Sequence, residues 1–169
     1  MADPTVPATV ITDEARDWAT QPFDQYVTTV SRTDIARFAR AIGETNAVYY
    51  DAEAARAAGH PDVVAPVYFP YTIRMQATHL VDRADLEPDG SSSADVPPLP
   101  TNRAMAGETT IDLGVPIHAG DTITLNKRIV ELYEKTGRSG TLVFVKTEFV
   151  FTNQDGEQVM REHFTRIYR

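Results

Sequence analysis

The first third of the chain sets polar residues in front of apolar ones that recur at helical spacing. Ile35, Phe38, Ala39 and Ile42 stand at i, i+3, i+4 and i+7, which puts them on one helix face. Ser31 with Asp34 makes a capping-box signature ahead of them, and Gly43 stops the helix. Asp51 reads as the N-cap of a short alanine-rich helix from Ala52 to Ala58, closed by Gly59. After Pro66 the stretch from Val67 to Val81 is apolar on most sides, which predicts a buried helix. Pro70 fits only its first turn, because proline has no N–H to give to a helix interior.

The second half of the chain changes period. Thr109 to Leu113 alternates weakly. Thr122 to Tyr133 carries Ile123 and Leu125 and then Ile129-Val130, a change of phase that predicts a β-bulge. Thr141 to Phe151 puts Val143, Val145, Phe149 and Phe151 on one face of a strand. Asn153-Gln154-Asp155-Gly156 is a hairpin turn signal, and Val159 to Tyr168 returns with Met160, Phe164 and Tyr168 two or four apart. Long strands after helices predict an α+β fold, an antiparallel sheet packed on one buried helix. Between the two halves, Ala84 to Thr101 holds four of the eleven prolines, Gly90 and three consecutive serines. A loop of that length is uncommon in a compact domain, so it reads either as functional or as a disordered insertion.

Composition narrows the function classes. The chain has 169 residues, enough for one domain that buries about 70% of its unfolded surface. It has no cysteine, which excludes disulfides, a thiolate zinc site and a cysteine nucleophile. The net charge of -8 argues against a nucleic-acid partner. No apolar run reaches the ~20 residues of a membrane span. The first residues show no secretory leader, so a cytoplasmic location and no membrane partner are expected. Residues 1–100 carry seven Lys/Arg against fifteen Asp/Glu, whereas residues 101–169 carry nine of each. An anion site is therefore expected after residue 100. The histidines His60, His79, His118 and His163 show no metal-ligand spacing, and no metal site is expected.

The stretch Gly43-Glu44-Thr45-Asn46-Ala47-Val48-Tyr49, followed by Asp51-Ala52-Glu53-Ala54-Ala55, is more specific. It resembles the MaoC-like (R)-specific enoyl hydratase family, whose motif reads Gly-Asp-x-Asn-Pro-aliphatic-His before a short helix. Val63-Val64-Ala65-Pro66 resembles the family's approach to its central helix. Pro116-Ile117-His118-Ala119-Gly120-Asp121 resembles its Pro-aliphatic-x-x-Gly-Asp segment, and Lys135 to Gly140 its sheet. The resemblance implies a single hot-dog domain over residues 25–169, after an N-terminal segment 1–24: a curved antiparallel sheet wrapped around one long helix. It also implies a dimer or pseudo-dimer acting on an acyl thioester of coenzyme A or acyl carrier protein, with no prosthetic group.

The motif departs from the family where the chemistry lies. Hydrating a 2-enoyl thioester needs a base for water, an acid for the α-carbon and donors for the enolate oxygen. The family's Asp is Glu44, one methylene longer, and its His is Tyr49, a donor and a poor base at neutral pH. Its Pro is Ala47; Gly43 and Asn46 fit, and Val67 stands where active members often carry Gly. Glu44, Tyr49 and Asn46 are thus the catalytic positions of a degenerate site. Some hydratases of this family pair an intact chain with a relative lacking the Asp and His. This sequence resembles that second type, called FAS1-like dehydratase or MaoC N-terminal domain, and its expected partner is a MaoC-like subunit with both residues intact.

Two other assignments remain open on the sequence: a homodimeric hydratase using Glu44 and Tyr49, and a non-enzymatic acyl-CoA-binding module. The candidates for the coenzyme A phosphates are Lys135, Arg138 and, less directly, Arg103; the plain alternative is a solvated strand face. Phe69, Tyr71 and Met75 are the candidates for an acyl tunnel, against ordinary core packing.

Overall fold

The computed structural model of the chain describes residues 9–79, 96–100, 103–138 and 140–169. Four helices and five strands follow in order among these residues: α1 (Asp13–Thr20), β1 (Tyr26–Thr29), α2 (Arg32–Ala41), α3 (Ala52–Ala57), α4 (Pro70–His79), β2 (Ala104–Leu113), β3 (Thr122–Gly137), β4 (Gly140–Thr152) and β5 (Gln158–Tyr168). The strands form one antiparallel sheet in the order β1-β3-β4-β5-β2. One face of it packs against α4 and the turn before it, which is the hot-dog arrangement.

The sheet register explains which residues are inside. Val143, Val145, Phe149 and Phe151 of β4 share a face with Leu125 of β3 and Met160 and Tyr168 of β5. Phe69 and Ile73 of the α4 region close the main core with Ile35, Ile117 and Ile123. Each fully buried side chain of this size contributes roughly 1.5–3 kcal/mol. The predicted bulge lies between Ile129 and Glu131, and the hairpin turn at Asn153 to Gly156 joins β4 to β5.

The caps fold as the polar pattern predicts, with one difference. Ser31 Oγ accepts from the Asp34 N–H at 3.1 Å, but the Asp34 carboxylate takes the Ser31 hydroxyl rather than the Ser31 N–H. Asp51 caps α3 through the N–H groups of Glu53 and Ala54, and this holds its carboxyl below the usual range. The buried helix is shorter than its apolar run. It starts at Pro70, because residues 67–69 form a turn, and Val67, Tyr68 and Tyr71 are exposed. Residues 80–81 of the expected helix lie outside the described residues, as does the loop at 84–101 apart from 96–100.

The sequence pattern missed α1 and β1 and began β2 five residues late. β2 is an edge strand with a single neighbour, so most of its side chains are exposed and its pattern is polar. Ile11 and Ala15 enter a second core with Val143, Val145 and Tyr168. Glu134 on β3 ties this segment down by accepting from Val10 N at 2.9 Å and Thr9 Oγ1 at 3.1 Å.

The opposite sheet face carries charges. Glu148, 7% exposed in its side chain, faces Arg128 of β3 and His163 and Arg161 of β5. Arg128, bonded to it, holds its carboxyl below the ordinary 4.5, against the opposing effect of burial. The unfolded chain therefore takes up this proton first as pH falls. The stabilisation is complete above about 4.5 and is lost as pH drops through the lower folded value. Glu148→Gln should flatten the acid limb of the stability curve, which urea titrations between pH 3 and 7 would show.

Candidate functional site

The motif segment folds as a compact cap over the start of α4. Gly43, at φ +78°, lets the chain reverse after α2, and the Glu44 N–H closes onto Ala39 O at 2.9 Å. Asn46 Oδ1 accepts from Val48 N at 3.2 Å and starts the single 3₁₀ turn Ala47–Tyr49. The Tyr50 hydroxyl donates to Glu44 O at 2.6 Å and fastens the turn.

Residues 63–65 then run between two neighbours. Val64 N donates to Val48 O at 3.1 Å, Ala65 N to Ile117 O at 2.8 Å, and Ala119 N to Val63 O at 3.0 Å. This clamp joins three of the four sequence segments that carry the resemblance. They enclose a pocket of about 280 Å³, close to the ~300 Å³ lower end of small-ligand sites. Its walls are mainly apolar: Val64, Pro66, Val67, Val115, Ile117 and Val159 contribute, with Leu113 and Gly114 from the end of β2 and just after it. Tyr49 and His60 bring its polar side chains.

Gly114 shapes one wall. A Cβ there would lie 1.7 Å from Gln158 O, because Gly114 N and Val115 N pair with Val159 O and Gln158 O, both at 2.9 Å. Gly114→Ala must push β5 aside and should cost about 1–3 kcal/mol, read as a lower denaturation midpoint.

Several electrostatic features surround the pocket. His60 Nδ1 lies 3.2 Å from His118 Nε2, and His118 Nδ1 lies 3.7 Å from Asp121 Oδ2. Burial lowers the His118 pKa, against the pull of Asp121, and so favours the neutral ring. Asp62 is held below the usual carboxylate range by a hydrogen bond from Arg32. Burial raises the Tyr68 hydroxyl above its usual value, aided by the charge of Glu162. Among the described residues, the backbone N–H groups of Val67 and Tyr68 meet no hydrogen-bond acceptor. They stand where α4 begins, a position suited to negative charge.

The expected site residues fall into three groups. Tyr49 reaches the pocket. Glu44 is exposed and Asn46 caps the 3₁₀ turn; neither is in the pocket wall. Phe69 is a core residue, 3% exposed and packed edge-on to Phe38, and it is not in the pocket wall. Tyr71 is exposed and stacked on Tyr68, and Met75 is half-buried; both lie away from the pocket wall. Lys135, Arg138 and Arg103 are exposed and gather at the far end of the sheet, where Ala104 pairs with Tyr168 and Tyr168 with Val143. β2 separates that end from the pocket by nine residues, about 30 Å. His60 carried no sequence signal, because its partner His118 is 58 residues away.

Three comparisons place the chain among known proteins. The family described as FAS1-like, dehydratase domain region, matches residues 17–162. A UPF0336 protein of Clavibacter michiganensis is 33% identical over 141 residues, 83% of this chain and 85% of the relative. The fold is similar to that of the C-terminally truncated HadBC (3R-hydroxyacyl-ACP dehydratase) complex of Mycobacterium tuberculosis, with a TM-score of 0.59 and 23% identity over 85% of this chain and 92% of the other. It is also similar to the ChsH1-ChsH2 complex of the same organism, with a TM-score of 0.67 and 19% identity over 93% and 89% of the two chains. With the motif segments gathered around one pocket and the family match spanning most of its length, the chain belongs to the FAS1-like dehydratase family, on the fold of the MaoC-like dehydratases and (R)-hydratases.

Proposed function

We propose that this chain is the acyl-thioester-binding, catalytically impaired subunit of a heteromeric (R)-specific enoyl-CoA hydratase or 3-hydroxyacyl dehydratase. The observation that carries this reading is the pocket wall. It is mainly apolar and includes Tyr49 of the motif segment, yet no carboxylate lines it among the described residues. Water activation by an Asp–His pair then falls to a MaoC-like partner.

Two further features support a partner. β2 is a sheet edge with exposed Met105 and Leu113, and such an edge seeks a strand to pair with. Antiparallel pairing of β2 with a like strand would set this chain's Arg103 end beside the pocket end of the other subunit. Arg103, Lys135 and Arg138 would then serve the phosphates of a coenzyme bound to the partner's pocket, which the 30 Å separation denies them within this chain.

Binding tests the reading before turnover does. Calorimetric titration of crotonyl-CoA and of a longer 2-enoyl-CoA should show saturable binding to this chain with a co-expressed MaoC-like subunit. Arg103→Ala with Lys135→Ala should weaken it tenfold or more. No binding of either thioester, or no association of the two chains in sedimentation, would sink the proposal.

A further inference from the structure

The pocket contains a second proton-handling group that the family motif does not supply. His60 lines the pocket beside Tyr49, and its Nδ1 is engaged by His118 Nε2 at 3.2 Å. His118 Nδ1 in turn faces Asp121 Oδ2 at 3.7 Å. Asp121 is fixed independently: Oδ2 accepts from the His118 N–H at 2.7 Å and Oδ1 from Gln154 Nε2 at 3.2 Å. His118 itself is held by the backbone bridge to Val64, one of the pocket residues. The three side chains come from different places: the loop after α3, the turn before β3 and the end of that turn.

The polarity of this row runs one way. At 3.7 Å the Asp121 carboxylate is too far to accept a hydrogen bond from His118 Nδ1, but its charge favours the tautomer with the proton on that nitrogen. His118 Nε2 is then an acceptor, so His60 donates from Nδ1. That leaves the lone pair on His60 Nε2, a nitrogen with no hydrogen-bond partner among the described residues. A neutral imidazole in this state is a base.

We propose that His60 is the general base of a slow hydration at this chain's own pocket, with His118 and Asp121 as the positioning residues behind it. The inference rests on the reading that the pocket takes an acyl thioester. His60 Nε2 takes a proton from water as the water oxygen bonds to C3 of a 2-enoyl thioester. The C2–C3 π pair moves toward the carbonyl and gives the enolate, for which the free N–H groups of Val67 and Tyr68 stand nearby at the start of α4. The enolate returns its pair to C2, which takes the proton from His60, and one water has been added. The relay is aligned by Asp121, with Asp62 a second negative charge acting on His118 and the two rings repelling each other when charged. The rate is low because, among the described residues, no carboxylate in the pocket shares the work.

The test is single-turnover hydration of crotonyl-CoA by an excess of the purified chain, with thioester binding measured by calorimetry on the same samples. The expected result is hydration above the buffer rate that falls roughly 10²-fold or more in His60→Gln. Asp121→Asn should keep binding and move the acid limb of the pH–rate profile to lower pH, since loss of the carboxylate makes the relay harder to protonate. A merely structural role would leave that limb in place. Binding without hydration, or hydration indifferent to His60→Gln, overturns the inference and leaves the accessory-subunit reading standing. An unshifted limb in Asp121→Asn overturns the relay. Failure to bind crotonyl-CoA overturns the inference together with the reading beneath it.

Discussion

Arg74→Leu is expected to destabilise the chain by about 3–5 kcal/mol, because it strands a buried carboxylate. Glu162 of β5 is 2% exposed and its Oε1 lies 2.7 Å from Arg74 Nη1 of α4. The guanidinium also sits over the rings of Phe149 and Phe164, at 4.5 and 4.8 Å from their centroids, and 5.3 Å over Tyr71. This ion pair thus links helix and sheet inside aromatic walls. For a chain of this size the loss corresponds to a melting point lower by roughly 6–20 °C. Replacing both partners, Arg74→Leu with Glu162→Leu, should recover most of it, since an apolar pair of similar volume needs no desolvated charge. A double-mutant cycle by chemical denaturation reads both effects. A single mutant as stable as the wild type would show that the pair contributes nothing to joining α4 to the sheet.

Val67→Trp is expected to weaken acyl-thioester binding about 10²-fold while leaving the fold intact. Val67 is 63% exposed in the turn before α4, yet it contributes to the pocket wall. Surface substitutions of this kind usually change stability by less than about 0.5 kcal/mol. An indole at the mouth of a 280 Å³ pocket fills much of it. The affinity for crotonyl-CoA should fall about 10²-fold, equivalent to about 2.7 kcal/mol. Unchanged affinity would place the thioester elsewhere. The position has a second meaning, because glycine commonly stands there in active members of the resembled family, and a side chain at that point narrows the approach to the Val67 and Tyr68 N–H groups.

Much of the fold was written in local patterns. The caps at Ser31 and Asp51, the β4 face of Val143, Val145, Phe149 and Phe151, and the turn at Asn153 depend on residues close in sequence or strongly periodic. They formed as those patterns require. α1 and β1 were not legible because they are short, and they gain their stability from distant strands, through Glu134 for the first and β3 for the second. The polar run of β2 reads as loop until its pairing with β5 is known.

The site divided in the same way. Tyr49, which stands in the pocket wall, could be singled out because the motif is contiguous. His60 was not, because the contact that gives it meaning joins residues 58 positions apart. Phe69 was a tunnel candidate together with Tyr71 and Met75 as part of the central helix. It stands instead in the turn before Pro70 and packs in the core.

Hydration of a 2-enoyl-CoA, by the purified chain alone and after co-expression with a MaoC-like chain that keeps its Asp and His, tests the central claim most directly. The account predicts at least about 10²-fold faster turnover in the mixture, in line with the contribution of a positioned acid–base pair. That turnover should survive Glu44→Gln with Tyr49→Phe in this chain. Robust turnover by the chain alone, lost on Glu44→Gln, would contradict it and make this chain a self-sufficient homodimeric hydratase. Silence of the mixture despite tight acyl-CoA binding would contradict it equally and leave a non-enzymatic acyl-CoA-binding module.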